Sequence, residues 1–418
     1  MEVSSFRRRA AVTALALGGF SIGLTEFVAM GLLPQIAHSL LPAQYAASSS
    51  QAVAHAGWMI SAYALGVVVG APTIAALTAR VARKKLLLCL LALFIVGTAA
   101  SALAPDFGLV LVARFVAALP HGAYFGAAGL VASEIMGPGS RARGFAAVLG
   151  GLTVANVIGV PLITRLGQAA GWRVAYLAIA GMFLLTLLAV TALVPEVASD
   201  VQGSPRAELR TFRSGQVWLV AATAAVGFAG FFAVDSYIAP VTTHVAGLSD
   251  TSVPWVLVAV GLGMTVGNAA GGWASDRNLD RSLLVGFGAF IASMVAFALL
   301  ARSPAGLFIG GFLVGATSLF LGPAMQSRLI GAAPEARLMG AAVNQSAMNI
   351  ANSLGAALGG LVIAHGLGYL APSVLGAGLG AVGMVMCAAD IVARRRGRAG
   401  AGEGREDRQE EEVQAAGV

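Results

Sequence analysis

The chain has 418 residues and a formal net charge of +7, and it is 58% hydrophobic but only 11% charged. A soluble domain is about one-quarter charged, so this composition excludes a soluble enzyme or binding module. The basic excess would suit nucleic acid as a partner, but the placement of the charges argues against it.

Apolar runs recur along the whole chain, near 11–33, 57–79, 86–104, 108–132, 144–166, 172–194, 216–240, 254–275, 282–301, 305–327, 339–363 and 371–393. Each is long enough to cross about 30 Å of hydrocarbon as a helix. They predict an all-α membrane protein with twelve transmembrane helices and both termini on one side. Arg7 to Arg9, "RVARKK" at 80–85, Arg141, Arg143, Arg206, Arg210, Arg213, Arg277, Arg281, Arg328, Arg337 and "RRRGR" from Arg394 all fall on that side, against Arg165, Arg173 and Arg302 opposite. The positive-inside rule makes the basic side, and both termini, cytoplasmic. The positive charge is thus a topology signal, and no nucleic acid is expected.

Span 1 is too long for a signal-peptide core and is expected to stay in the membrane. It carries Glu26 in an otherwise apolar run, a placement that costs roughly 2.5–3.5 kcal/mol on the mildest insertion scale. Glu26 lies eight residues before Pro34, about 12 Å from the outer end at 1.5 Å per residue. In span 4, Arg114 lies about 9 Å from the same side by the same geometry. At matched depth the two can meet, and the charge on Glu26 then depends on whether Arg114 faces it. Two readings stand: a proton carrier, or a static ion pair that orients two helices.

His121 follows Arg114 by seven residues, on nearly the same helix face. With an unperturbed pKa near 6.5 it can relay protons, or it is a hydrogen-bonded packing residue. In span 7, Asp235 is the only acid: a second protonation site, a counter-charge for cationic cargo, or a solvated residue at a watery mouth. Cys89 and Cys387 read as small apolar fillers. The chain's two lysines, Lys84 and Lys85, follow no glycine, so no phosphate-binding loop exists and no ATP-driven step is expected. "GLGAVG" at 378–383 fits a dinucleotide glycine pattern but lies in span 12, where it is packing surface. No cofactor and no metal are expected; a proton gradient is the energy source.

Two self-matches organise the chain. Residues 57–88 align without gaps on 254–285, pairing Trp58, Gly66, Gly70 and Arg80 with Trp255, Gly263, Gly267 and Arg277. From Arg141, Gly144, Asn156 and Gly159 fall on Gly340, Asn352 and Gly355. The offsets are 197 and 196, which indicates duplication. The domains are therefore read as a six-helix bundle at 1–194, a polar cytoplasmic linker at 195–215, a second bundle at 216–393 and a disordered cytoplasmic tail at 394–418. Two parallel halves with a site between them near the midplane are a transporter plan.

"TEFVAMGLLPQIA" in span 1, "ISAYALGVVVGAP" in span 2, "LPHGAYFG" in span 4, "GLTVANVIGVPLIT" in span 5 and "GWR" at 171–173 together resemble the major facilitator superfamily. The similarity is to its proton-coupled drug-efflux group, in the branch of arabinose-type efflux permeases and chloramphenicol-resistance exporters. It covers about 380 residues. The loop 2–3 signature departs, reading "AALTAR" (75–80), while its repeat copy "GWASDR" (272–277) keeps Asp276 and Arg277. In span 4, "ALPHG" replaces the usual glutamine-glycine.

The resemblance implies two bundles related by pseudo-two-fold symmetry, with spans 1, 4, 7 and 10 lining a central cavity. Glu26 and Arg114 could meet in that cavity, and on the functional reading of the buried charges Glu26, Arg114, Asp235 and His121 couple protons to transport. Arg80, Arg83, Glu134, Asp276 and Arg277 would form a cytoplasmic latch. Gly151, Gly159 and Pro161 resemble the antiporter signature of exporters. Phe27, Met30, Tyr124, Phe125, Phe231, Phe232, Tyr237 and Phe320 would supply apolar cavity lining, and Asn344, Gln345, Asn349 and Asn352 hydrogen bonds to cargo. The expected partners are protons, lipid and a small drug-like amphipath, handled by a monomer in a bacterial plasma membrane. Sugar or nucleoside efflux is the rival within transport. A non-transporting sensor or scaffold would call for an appended soluble domain or a long signalling tail.

Overall fold

A computed structural model of the chain describes residues 5–78, 81–137, 141–196, 213–332 and 337–415. Among them, twelve helices are long and apolar enough to cross a membrane. Spans 1 to 6 are Phe6–Leu40, Ser49–Ala71, Arg83–Leu103, Phe107–Met136, Arg143–Ala170 and Trp172–Leu193. Spans 7 to 12 are Gly215–Asp235, Asp250–Arg277, Leu279–Leu300, Pro304–Ala332, Val343–Ala364 and Ala371–Arg394. Large apolar side chains face outward on them, as Leu77, Leu299 and Trp255 do at 83%, 71% and 66% exposure. In a chain of twelve apolar helices, such a surface is matched to lipid tails rather than water.

The outer loop after span 1 is not a loop. Span 1 continues past Pro34 to Leu40, and short helices follow at Pro42–Ala47 and Ser49–Ala56. Ser48 caps the second, its side chain accepting from the Gln51 amide. Spans 4 and 5 are interrupted, and span 7 is followed by short helical pieces. Span 4 breaks between Ala118 and His121, where Pro120 has no amide hydrogen to donate. Span 5 contains a π-helical turn at Ala155–Gly159 just before Pro161. Span 7 ends at Asp235 and is followed by a short helix, Ile238–Pro240, and a π turn, Val241–Val245. The last helix runs on to Ala415 through the tail that composition reads as disordered; Ala, Arg, Glu and Gln are good helix formers.

The two halves are built alike. Span 1 packs on spans 5 and 6, span 2 on span 4, and span 3 on span 6; in the second half span 7 packs on 11 and 12, 8 on 10, and 9 on 12. The duplication reaches individual contacts. Gly66 and Gly70 of span 2 lie against the carbonyls of Phe115 and Leu119, and Gly263 and Gly267 of span 8 lie against those of Phe312 and Ala316. All four pairs of equivalent residues are 197 apart. Small residues let the backbones approach this closely.

The halves join through span 2 and its lead-in helix against span 11, the outer part of span 5 against span 8, and span 1 against Ile238–Pro240 and span 8. Every named contact across this seam lies toward the side opposite the basic loops. Ser61 Oγ donates to the Ser353 carbonyl at 3.0 Å, and Ser353 Oγ returns a bond to the Ser61 carbonyl at 3.4 Å. Tyr237 Oη, held inside the second half by the Ala356 carbonyl at 2.8 Å, is seated across the seam against Gly57. Gln168 Nε2 donates to the Asp250 carbonyl at 2.6 Å. The molecule is closed on its outer side.

Candidate functional site at the seam between the halves

The buried polar groups of the first half converge on Tyr63 of span 2. Arg114 is fully buried; its Nη1 donates to Thr25 Oγ1 at 2.9 Å and its Nη2 to the Thr25 carbonyl at 2.8 Å. The guanidinium carbon stands 4.2 Å from the ring centre of Tyr63 and 5.3 Å from that of Tyr176. A planar fork fits a neighbouring hydroxyl and carbonyl at once, and the aromatic faces offset part of the desolvation of the charge. From the other side of the break in span 4, His121 Nδ1 is 3.2 Å from Tyr63 Oη, while its Nε2 has no protein partner. Arg114 and His121 therefore both reach Tyr63, one through its ring and one through its hydroxyl.

Glu26 is 7% exposed. Its neighbour in sequence, Thr25, takes the arginine, so Glu26 and Arg114 interact through space without an ion-pair contact. What touches the carboxyl comes from the other half: Asn352 Nδ2 of span 11 donates to Glu26 Oε1 at 3.4 Å. Glu26 thus points into the seam and not at lipid. Asp235, 5% exposed, closes span 7 with Oδ1 lacking a protein partner. It enters none of the ion pairs among the described residues.

The remaining candidates scatter. Met30 and Phe27 are buried on span 1, and Phe125 on span 4 tilts against the His121 ring at 5.3 Å. Tyr124 bonds the Leu15 carbonyl inside the first half. Phe231 and Phe232 form an edge-on pair at 5.1 Å, with Phe232 against Gly355 of span 11. Tyr237 belongs to the outer closure. Phe320 is half-buried and packs on Gly271 and Gly286, between spans 8, 9 and 10. Asn344 and Asn349 are buried with their Oδ1 atoms lacking protein partners, and Gln345 is half-buried. Gly151 and Gly159 both pack span 5 onto span 1, at Ala16 and at Phe20 and Leu24, and Pro161 follows the π turn.

The cytoplasmic candidates are not brought together. Arg83 is half-buried, Glu134 and Asp276 are exposed, and Arg277 lies over its own Trp273 at 3.7 Å. None forms an ion pair among the described residues, and Arg80 lies outside them. On that side the structure instead staples the second half. Arg328 Nε and Nη2 reach Asp390 at 2.8 and 2.6 Å, and Arg394 reaches Asp280 at 2.6 Å and Asp390 at 3.2 Å.

Sequence reasoning missed Thr25, Tyr63 and Tyr176, the residues that hold Arg114. It counted Arg328 only as a topology charge. The available signal was the string "TEF": a threonine beside the buried acid offers a hydroxyl and a carbonyl to the same cation.

Two matching six-helix halves, joined on one side around buried acid, arginine and histidine, define a secondary-transporter architecture. The chain belongs to the Major Facilitator Superfamily, whose profile matches residues 15–277 and 236–414. It is 35% identical to the inner membrane transport protein YdhP of Escherichia coli K12, over 87% of this chain and 91% of that one. It is 31% identical to a chloramphenicol resistance protein of Streptomyces lividans, over 91% and 94%. Its fold is similar to a bacterial homologue of the lysosomal transporter Spinster, with a TM-score of 0.67 at 18% identity, covering 94% of this chain and 96% of that one. It is a multi-pass membrane transporter, not an enzyme.

Proposed function

We propose that the chain exports small amphipathic molecules, chloramphenicol-type drugs among them, across a bacterial plasma membrane in exchange for protons. The observation that carries this reading is Glu26, an acid buried at the seam between the halves with its hydrogen bond going to the opposite half and no cation in contact. Moving the halves apart would return that carboxyl to water, so closure and proton binding are coupled at one side chain. The drug-resistance name of a relative and the Gly151–Gly159–Pro161 string support the direction and the cargo class. Arg114 and His121, joined at Tyr63, form the protonation surroundings of Glu26, and Asp235 serves the second half. The aromatics of spans 1, 4 and 7 and the amides of span 11 contact cargo when the cavity is loaded. Arg80, Arg83, Glu134, Asp276 and Arg277 form the cytoplasmic latch of the opposite state, open to the outside. The working unit is a monomer.

In inverted vesicles, Glu26→Gln is expected to abolish proton-driven accumulation of chloramphenicol while leaving its binding in place; full accumulation would overturn the coupling role. Expression in a pump-deleted host should raise tolerance to amphipathic drugs. Unchanged tolerance to every drug with a lowered internal sugar level would replace the drug reading by sugar efflux.

A further inference from the structure

We infer that Asn352 reads the protonation state of Glu26, so that the outer seam closes on the neutral acid and not on the carboxylate. The inference rests on Glu26 being the coupling acid, and it adds a residue on the opposite half that makes closure depend on the proton. Asn352 is 1% exposed, and its amide is half used: Nδ2 donates to Glu26 Oε1 at 3.4 Å, while Oδ1 is buried with no protein partner. An ionised carboxylate has only acceptors. It can take the Nδ2 hydrogen but leaves Oδ1 unsatisfied, with two negative oxygen ends side by side. A neutral carboxylic acid has one acceptor and one donor, the complement of a primary amide. Its carbonyl takes Nδ2–H and its O–H gives to Oδ1, so both buried groups are satisfied together. A buried polar atom left unpaired is penalised more than a made bond is rewarded, so the selectivity comes from the mismatch with the charged form.

The surroundings leave this choice to Asn352. The titratable groups on the elements packed against span 1 are Tyr45 and His55 on the two short outer helices, Tyr63 on span 2, Arg114, His121, Tyr124 and Glu134 on span 4, Arg143 and Arg165 on span 5, Arg173 and Tyr176 on span 6, Asp235 and Tyr237 around the end of span 7, and Asp250, Asp276 and Arg277 at the two ends of span 8. The charge that acts on Glu26 is Arg114, whose two Nη groups are already engaged by Thr25. The closure that Asn352 would control lies beside it: Ser353 of the same helix exchanges seam bonds with Ser61, and the neighbouring Ala356 carbonyl holds Tyr237, which is seated against Gly57 across the seam. In the exchange cycle the proton comes from outer water, forms the Glu26 O–H bond while the seam is open, and lets Asn352 dock. It returns to water on the cytoplasmic side when that side opens. Nothing is oxidised or reduced.

The test measures seam closure against pH. Spin labels at Ala169→Cys, exposed at the outer end of span 5, and Leu367→Cys, exposed on the loop between spans 11 and 12, report the distance across the outer side. They are placed in a Cys89→Ala, Cys387→Ala background of the full chain in lipid nanodiscs. In that background the closed population should rise as pH falls. Asn352→Leu, or Asn352→Ser should the larger side chain prevent assembly, is expected to move the midpoint down by about one pH unit, a tenfold weaker coupling. Asn352→Gln, which keeps the amide, should move it back towards the native value. Loosening by the same factor at every pH, with an unmoved midpoint, would overturn the inference and leave Asn352 a packing residue. Glu26→Gln separates the two levels. A closed, pH-independent seam in Glu26→Gln with no midpoint change in Asn352→Leu removes only the role of Asn352. Persistent pH dependence in Glu26→Gln removes the coupling reading itself, and this inference with it.

Discussion

At the scale of the residue, the buried arginine shows how a charge is kept inside an apolar bundle without an acid in contact. Arg114 uses one threonine twice, hydroxyl and carbonyl, and rests on the faces of two tyrosines. Lysine has a point charge and no planar fork. Arg114→Lys is therefore expected to lose one of the two bonds to Thr25 and the ring stacking, lowering stability in detergent by about 2 kcal/mol, read as a fall in melting temperature. Glu26 and Arg114 were legible in the sequence because an isolated charge in an apolar run stands out. Thr25, Tyr63 and Tyr176 were not, because neutral residues of moderate polarity are ordinary in membrane helices and acquire their role only where four spans meet. The same holds for Asn352: the repeat singled it out as the partner of Asn156, but nothing in the one-dimensional pattern aims its amide at Glu26 rather than at cargo.

At the scale of the element, the runs of hydropathy located twelve spans, because length and lipid exposure determine the apolar content directly. They did not locate the break at Leu119–Pro120 or the π turn at Ala155–Gly159. Both leave the hydropathy unchanged while altering which way the following side chains point. The break matters for the site, since it lies between Arg114 and His121 while both reach Tyr63. The glycine contacts are an element-scale property as well. A methyl group added at Gly66 would run into the Phe115 carbonyl, and one at Gly263 into that of Phe312. Gly66→Ala and Gly263→Ala should each cost about 1–3 kcal/mol, the usual range for overpacking. The internal duplication makes the two losses similar in size, which paired thermal unfolding curves will check.

At the scale of the whole molecule, the pattern of basic loops and the offset of 197 made the two-half plan readable before any coordinates. The outer closure was not readable, because it is made of serine hydroxyls, a glutamine amide, backbone carbonyls and a tyrosine seated on a glycine, without charge or periodicity to mark it. Its position carries a prediction. Ser61→Cys with Ser353→Cys should form a disulfide under oxidation, halt transport, and recover on reduction, because the cycle requires that contact to open. Continued transport by the fully cross-linked protein, measured as chloramphenicol uptake into inverted vesicles, would contradict a mobile outer seam.

The glycine-on-carbonyl joints have a mechanical consequence. A carbonyl resting on a bare α-carbon has no rotatable side chain between the two backbones to cushion a load. Spans 2 and 4, and likewise 8 and 10, then move as stiff beams, and thickening or bending of the surrounding bilayer is passed on rather than absorbed. Such stress can relax only where the beams of one half slide past those of the other, so the elasticity of the lipid would set part of the speed of the cycle.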